Sequence, residues 1–287
     1  MPAPEHFTVH AYPSALRALG AALKVGALGC LSYLGTQFLL QTLDGEQRLL
    51  PVPMLLLLAL GVLLPLGLGA GLRWWTRATV EPGAEGLALT LRDGARLEMP
   101  YAAVASVRPW WLPLPGPGLT LHMATGRRFG YGLEAEDAVP LLEALGRRGP
   151  LGAAATHPLV RFAQARHALW RRRWYHLAFK FAVFTLLPAG VLFRLHQFIV
   201  YGGTFGEYQM YGLERYVRSF LLGHYLPVAL GSLLAACIYR VLAEPVAFAA
   251  AWLMPSRARG VRRGAEWLGR LVYYGLLPGL IVVRILS

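Results

Sequence analysis

Four polar side chains stand in or beside long apolar runs of this 287-residue chain: His196, His224, Arg240 and Glu244. His196 and His224 fall at corresponding ends of the apolar runs Leu177–Val200 and Ser219–Tyr239. Two imidazoles facing one another between helices can ligate a haem iron or a metal, which would make the chain an electron-transfer subunit. The competing reading makes each an interfacial histidine with a water or backbone partner. That reading is preferred, because no second pair appears at the other face and carboxylates are few nearby. Arg240 and Glu244 are four apart and share a helix face, so they can form an ion pair. Charges inside a membrane span are functional candidates, here for a transporter or lipid-handling protein. Yet Ser219–Tyr239 already suffices to cross a bilayer and Pro245 predicts a helix break, which favours an ion pair at a helix end.

Other chemistry finds little support. The chain has no P-loop, no GxSxG, no HExxH and no CxxC. The glycine run GLGAGL (Gly67–Leu72) lacks the preceding strand that a nucleotide site needs, and small residues in an apolar run predict close helix packing instead. Cys30 and Cys237 both fall in apolar runs and supply neither a disulfide framework nor a zinc site. The chain is therefore read as non-catalytic, with no metal and no cofactor beyond the haem alternative.

The elements that would carry these residues are membrane helices. Apolar residues make up 56% of the chain and mean hydropathy is +0.45, whereas soluble domains hold about 45–50% apolar residues. Lys+Arg number 28 against 15 Asp+Glu, a net charge of +13. Uncharged runs cover Val25–Leu43, Leu49–Leu72 and Ser219–Tyr239, each near the roughly 20 residues a span requires. Leu177–Val200 and Trp267–Leu286 add two spans with Lys or Arg near their ends, where those side chains can snorkel. The N-terminal dozen residues are polar and no cleavable signal follows, so the first run is read as a retained span.

Orientation follows the basic loops. The first inter-span loop has a single arginine, Arg48, while the segment from Arg73 to His176 holds fourteen, and Arg257–Arg270 is rich again. This places the N-terminus and the Arg-rich loops in the cytoplasm. The stretch HALWRRRWYHLAFKF then reads as a membrane edge: Trp170 and Trp174 share a helix face at the interface, and Arg171, Arg172 and Arg173 meet anionic headgroups. Nucleic acid is rejected as a partner, since the adjacent span occupies the surface a groove would need. In the other inter-span loop, Glu207–Phe220 predicts either an amphipathic helix or a tethered aromatic belt.

One polar insert remains. GLALTL alternates and RDG supplies a turn; ARLEMPY returns, AAVASVRPWW follows, and GLTLHMA pairs through TGRR with FGYGL. EDAVPLLEALGRRG then predicts a short helix with Asp137 as N-cap and Leu141, Leu142 and Leu145 turned inward. This antiparallel sheet closed by one helix resembles the bacterial pleckstrin-homology-like (PH-like) domain found after a pair of spans in membrane proteins. The resemblance implies an interaction or scaffolding role and carries over no catalytic residue.

The expected architecture is thus a mainly α-helical integral membrane protein with five transmembrane helices and a small cytoplasmic β domain. Residues 1–73 hold the first two spans, 74–158 the PH-like domain, and 159–287 a basic linker and spans three to five. The expected function is a subunit or scaffold of an assembly in the bacterial cytoplasmic membrane, with lipids and protein partners around it.

Overall fold

The computed structural model describes residues 6–43, 52–147, 150–169, 174–276 and 279. They form β1 (Phe7–Pro13), α1 (Ser14–Leu43), α2 (Val52–Leu58), α3 (Leu64–Trp75), β2 (Arg77–Pro82), β3 (Gly86–Leu91), β4 (Arg96–Pro100), β5 (Val104–Pro109), β6 (Gly118–Met123) and β7 (Arg128–Glu134). Then follow α4 (Val139–Gly146), α5 (Pro158–Leu169), α6 (Trp174–Ala178), α7 (Phe184–Tyr201), α8 (Gly206–Arg218), α9 (Leu226–Leu253) and α10 (Ala258–Leu271). By contact the chain divides into two units. The first gathers Met1–Gly29, Ala59–Trp170 and Glu244–Arg263; the second gathers Cys30–Leu58, Arg171–Ala243 and Gly264–Ser287.

The first unit is built on one seven-stranded antiparallel sheet in the order β4-β3-β2-β1-β7-β6-β5. Its middle strand is β1, from a segment the sequence reading assigned to a polar terminus rather than to the 74–158 block. FTVHAYP does alternate, and the structure uses that alternation. Val9 and Ala11 are buried in the core with Val80, Leu89, Leu119, Leu121 and Leu133, beneath Leu141, Leu142 and Leu145 of α4. Burying a Val-sized side chain contributes about 1.5 kcal/mol or more, which a short polar-flanked strand needs to hold its place. The turn at Arg92–Gly94 forms as the sequence predicts, with Gly94 at φ +86°, and Gly126 closes the next hairpin at φ +79°. Asp137 accepts from the Val139 amide at 3.0 Å, but the N-cap residue of α4 is Ala138.

Because β1 precedes α1 and β2 follows α3, the chain leaves the sheet, runs out through α1 and returns through α2 and α3 to pair with β1. The return is sealed locally. The Thr76 hydroxyl donates to the carbonyls of Leu72 (2.9 Å) and Arg73 (3.3 Å) and ends α3, while the Ala11 amide donates to the Thr76 carbonyl at 2.8 Å. A second return brings the end of α9 into this unit, where Phe248 meets Phe162 of α5 edge-on at 5.5 Å and Trp252 meets His157 at 5.6 Å. Pro245 does not end α9 as expected. The helix runs through it to Leu253, held by Ala247, Phe248 and Ala251 packed on Phe162.

The second unit is helical. Gly35 and Gly231 let α1 and α9 approach: a Cβ on Gly35 would stand 2.6 Å from Ile238, and one on Gly231 would collide with Phe38. The glycines of the 67–72 run have nothing within 4 Å, so the close packing expected of them is made by other glycines. Widened π-turns occur at Ala59–Leu63 and Ser219–Tyr225, just ahead of Pro65 and Pro227. Each proline lacks an N–H for the carbonyl four residues back and pushes the helix wider there. Four helical stretches among the described residues are long and apolar enough to cross a membrane: Ser14–Phe38, Leu55–Trp75, Tyr175–Tyr201 and Gly206–Leu253. Of the expected fifth, Trp267–Leu286, the residues up to Leu276 continue α10 into a π-turn at Val272–Leu276, and those beyond, Gly279 apart, lie outside the described residues.

The middle position of β1 has a direct consequence. A polypeptide of residues 74–158 alone is expected to stay unfolded, whereas Phe7–Pro13 joined to residues 76–158 by a Gly/Ser linker should fold. Dispersed amide resonances from the first polypeptide would contradict this.

Candidate functional site

Strand alternation puts His10 and Tyr12 on the sheet face opposite the core. Cross-strand register sets His10 against Glu134, Tyr12 against Gly132, and Gly118 and Thr120 against Glu134 and Gly132 in turn. The two glycines leave a flat bed, and the Trp110 ring occupies it: a Cβ on either would stand 2.7 Å from the ring. Trp110 is 4% exposed, donates from Nε1 to Thr120 at 3.0 Å, and carries the Arg17 guanidinium of α1 at 3.8 Å above its ring.

Beside this stack lies a buried ionic cluster. Glu134 is 1% exposed, and its Oε1 is 3.2 Å from Nε of Arg73, the last basic residue of α3. Arg73 also donates to Glu136 at 3.1 Å. From α1, the Lys24 ammonium donates to the Pro115 carbonyl in the β5–β6 loop. Gly116 is pressed so close to Glu134 that no side chain fits there. Glu134 Oε2, the Tyr12 hydroxyl and His10 Nδ1 are buried and make no hydrogen bond among the described residues. The Tyr12 hydroxyl faces Glu134 and Thr76 without closing a bond to either.

This environment moves the acids and bases in a readable way. Burial pushes the Glu134 carboxyl above its ordinary range, against the opposing pull of Arg73 and then Lys24. Burial and the neighbouring Glu134 push Tyr12 up to about 12. Burial, then Arg73, pushes His10 down. The geometry is that of a joint, in which Arg73 of α3 and Arg17 and Lys24 of α1 grip groups of the sheet and the β5–β6 loop.

The residues singled out in the sequence are distributed differently. His196 and His224 do come together, with ring centroids 5.0 Å apart, and His224 Nδ1 lies 3.1 Å from the Ser219 carbonyl. The rings lie in contact, and His224 has the backbone partner that the interfacial reading expects. No cluster of three or more metal-ligating side chains occurs among the described residues. Next to the pair, and missed in the sequence, Gln197 donates to Glu207 at 2.7 Å and accepts from the Glu207 amide at 3.1 Å, both side chains buried. Glu207–Phe220 is helical over most of its length, with a break at Gly212 (φ 82°).

Arg240 and Glu244 each reach α10. Arg240 holds Glu266 through two bonds of 2.9 and 3.0 Å, and Glu244 accepts from the buried Arg262 at 2.8 Å. The expected i,i+4 relation pointed to the right helix face and missed these partners, because Arg262 and Glu266 read as part of an Arg-rich loop. Trp170, Arg171, Arg172, Arg173 and the Trp174 side chain lie outside the described residues. Comparison with protein-family models, curated proteins and solved structures finds no match to the chain.

The cluster predicts a pH signature. A carboxyl raised in the fold binds its proton more tightly there than in the unfolded chain, so its contribution to stability falls as pH rises from about 4.5 through the raised value. His10 acts oppositely, losing stability as pH falls below about 6.5. Subtracting the thermal stability of Glu134→Gln from that of the parent isolates the first effect. The difference should shift against the parent as pH rises across this window, and a difference independent of pH would contradict the assignment.

Proposed function

We propose that this chain is a non-catalytic multi-span protein of the bacterial cytoplasmic membrane, a subunit or scaffold that holds a PH-like domain at the cytoplasmic face. The observation that carries the reading is the double return of the chain to one unit. The excursion through residues 14–76 begins and ends in adjacent strands of a single sheet. The later excursion through Tyr175–Tyr201 and Gly206–Leu253 begins after α5 and ends on it, through Phe248 and Phe162. Each excursion contains two stretches long enough to cross a bilayer. Two crossings bring a chain back to the side it left, which agrees with the arginine distribution of the loops.

The PH-like assignment is supported by the seven-stranded antiparallel order with a helix, α4, laid on the core face after the last strand. The subunit role rests on what the two clusters do: ion pairs and stacked rings lock helices to a sheet and to each other, and none is arranged for turnover.

Single cysteines introduced in a chain lacking Cys30 and Cys237 test the topology. Gly203→Cys, in the turn between α7 and α8, should react with an impermeant thiol reagent in intact cells. Thr125→Cys, at the exposed β6–β7 turn, should react only after lysis. Labelling of Thr125→Cys in intact cells contradicts the reading. Isolation in mild detergent should also bring down a stoichiometric protein partner, and a chain that always emerges alone argues against the subunit role.

A further inference from the structure

The segment between β5 and β6 is fixed at both ends and apolar at its tip. At one end Trp110 is buried on the sheet under Arg17. At the other, the side chains of Pro115 and of Leu72 in α3 close on Gly20 of α1, 3.2 and 3.3 Å from where a Gly20 Cβ would stand, and the Pro115 carbonyl accepts from Lys24. Between these anchors Trp111 is 76% exposed and Leu112 47% exposed. Trp74 and Trp75, at the end of α3, are 61% and 69% exposed, and Arg92 stacks 3.1 Å over the Trp74 ring. Leaving a large apolar side chain in water forgoes about 1.5–3 kcal/mol, so a loop held rigidly with two such side chains outward needs an apolar neighbour.

The anchors say which neighbour. Lys24 and Arg73 flank the uncharged runs of α1 and α3, and the loop is bound at that level through Lys24, Gly20 and Leu72. Tryptophan favours the headgroup region over both water and hydrocarbon, and the exposed Arg92 on Trp74 suits anionic lipid.

We propose that the β5–β6 loop is a lipid-facing insertion element. Trp111 and Leu112 enter the headgroup region of the leaflet from which α1 and α3 emerge, beside Trp74 and Trp75, and hold the sheet against the bilayer. This rests on the spanning reading of α1 and α3. It goes further in assigning a membrane contact to a loop of the β domain itself.

The test uses the full chain, without Cys30 and Cys237, in vesicles of phosphatidylcholine and phosphatidylglycerol. A polarity-sensitive fluorophore is placed singly on Trp111→Cys, Leu112→Cys, Leu64→Cys and Glu143→Cys, and nitroxide-bearing lipids serve as quenchers. Leu64 lies nine residues from Arg73, about 14 Å along the helix and so near mid-bilayer, while Glu143 lies exposed on α4 across the sheet. Probes at 111 and 112 should lose most of their emission to a shallow nitroxide, and the probe at 64 to a deep one. The probe at 143 should lose little to either. If 64 is quenched while 111 and 112 behave as 143 does, the loop faces water or a protein partner and the proposal is overturned. If 64 is not quenched, the spanning reading fails and the proposal fails with it.

Discussion

A carboxylate shut away from water on a sheet face must be answered by cations, and Glu134 takes its cations from the helices. Arg73 comes from the last turn of α3 and Lys24 lies nearby on α1, so the two segments that leave and re-enter the sheet are drawn to one buried group. The ionic attraction works because burial has removed competing solvent. The same burial makes the carboxyl reluctant to ionise, so the joint holds two opposed tendencies in balance. Everything else on this face is arranged around it: Gly116 gives way to the carboxylate, Gly118 and Gly132 give way to Trp110, and Arg17 covers the ring.

The joint depends in turn on β1. A strand in the middle of a sheet cannot be supplied late or dropped, because both neighbours lose their hydrogen-bond partners without it. Here β1 is separated from β2 by a sixty-residue-scale excursion and from β7 by more than a hundred residues of chain. Closing such loops costs entropy that grows only slowly with length, and the buried Val9, Ala11 and Tyr12 contribute the compensating contacts. The sheet and β1 are therefore one folding problem, and separating the chain at residue 74 cuts through it.

How much of this was legible in the sequence varies with the physical signal. Strands with alternating apolar positions between turn residues, such as GLALTL-RDG-ARLEM, announce themselves, as do uncharged runs of twenty residues. FTVHAYP alternates as clearly, but its inward residues are few and its outward face carries His10 and Tyr12, so polarity masked the period. Glu134 and Arg73 gave no local sign: their meeting depends on cross-strand register and on where α3 ends. Arg240 and Glu244 were visible as charges at the edge of an apolar run, while Glu266 and Arg262 were hidden because pairing between helices leaves no mark in spacing. The proximity of His196 and His224 followed from matched positions in two apolar runs.

Glu134 and Arg73 act as a coupled pair that fixes α3 to the sheet. A double-mutant cycle measures it directly, using Glu134→Gln, Arg73→Gln and the double variant, with stability read from reversible denaturant unfolding in one detergent. A buried ion pair whose partners rely on one another should give a coupling energy of about 1–3 kcal/mol, with the double variant less destabilised than the sum of the singles. Additive effects, with coupling near zero, would show that the two residues sit side by side without holding anything together.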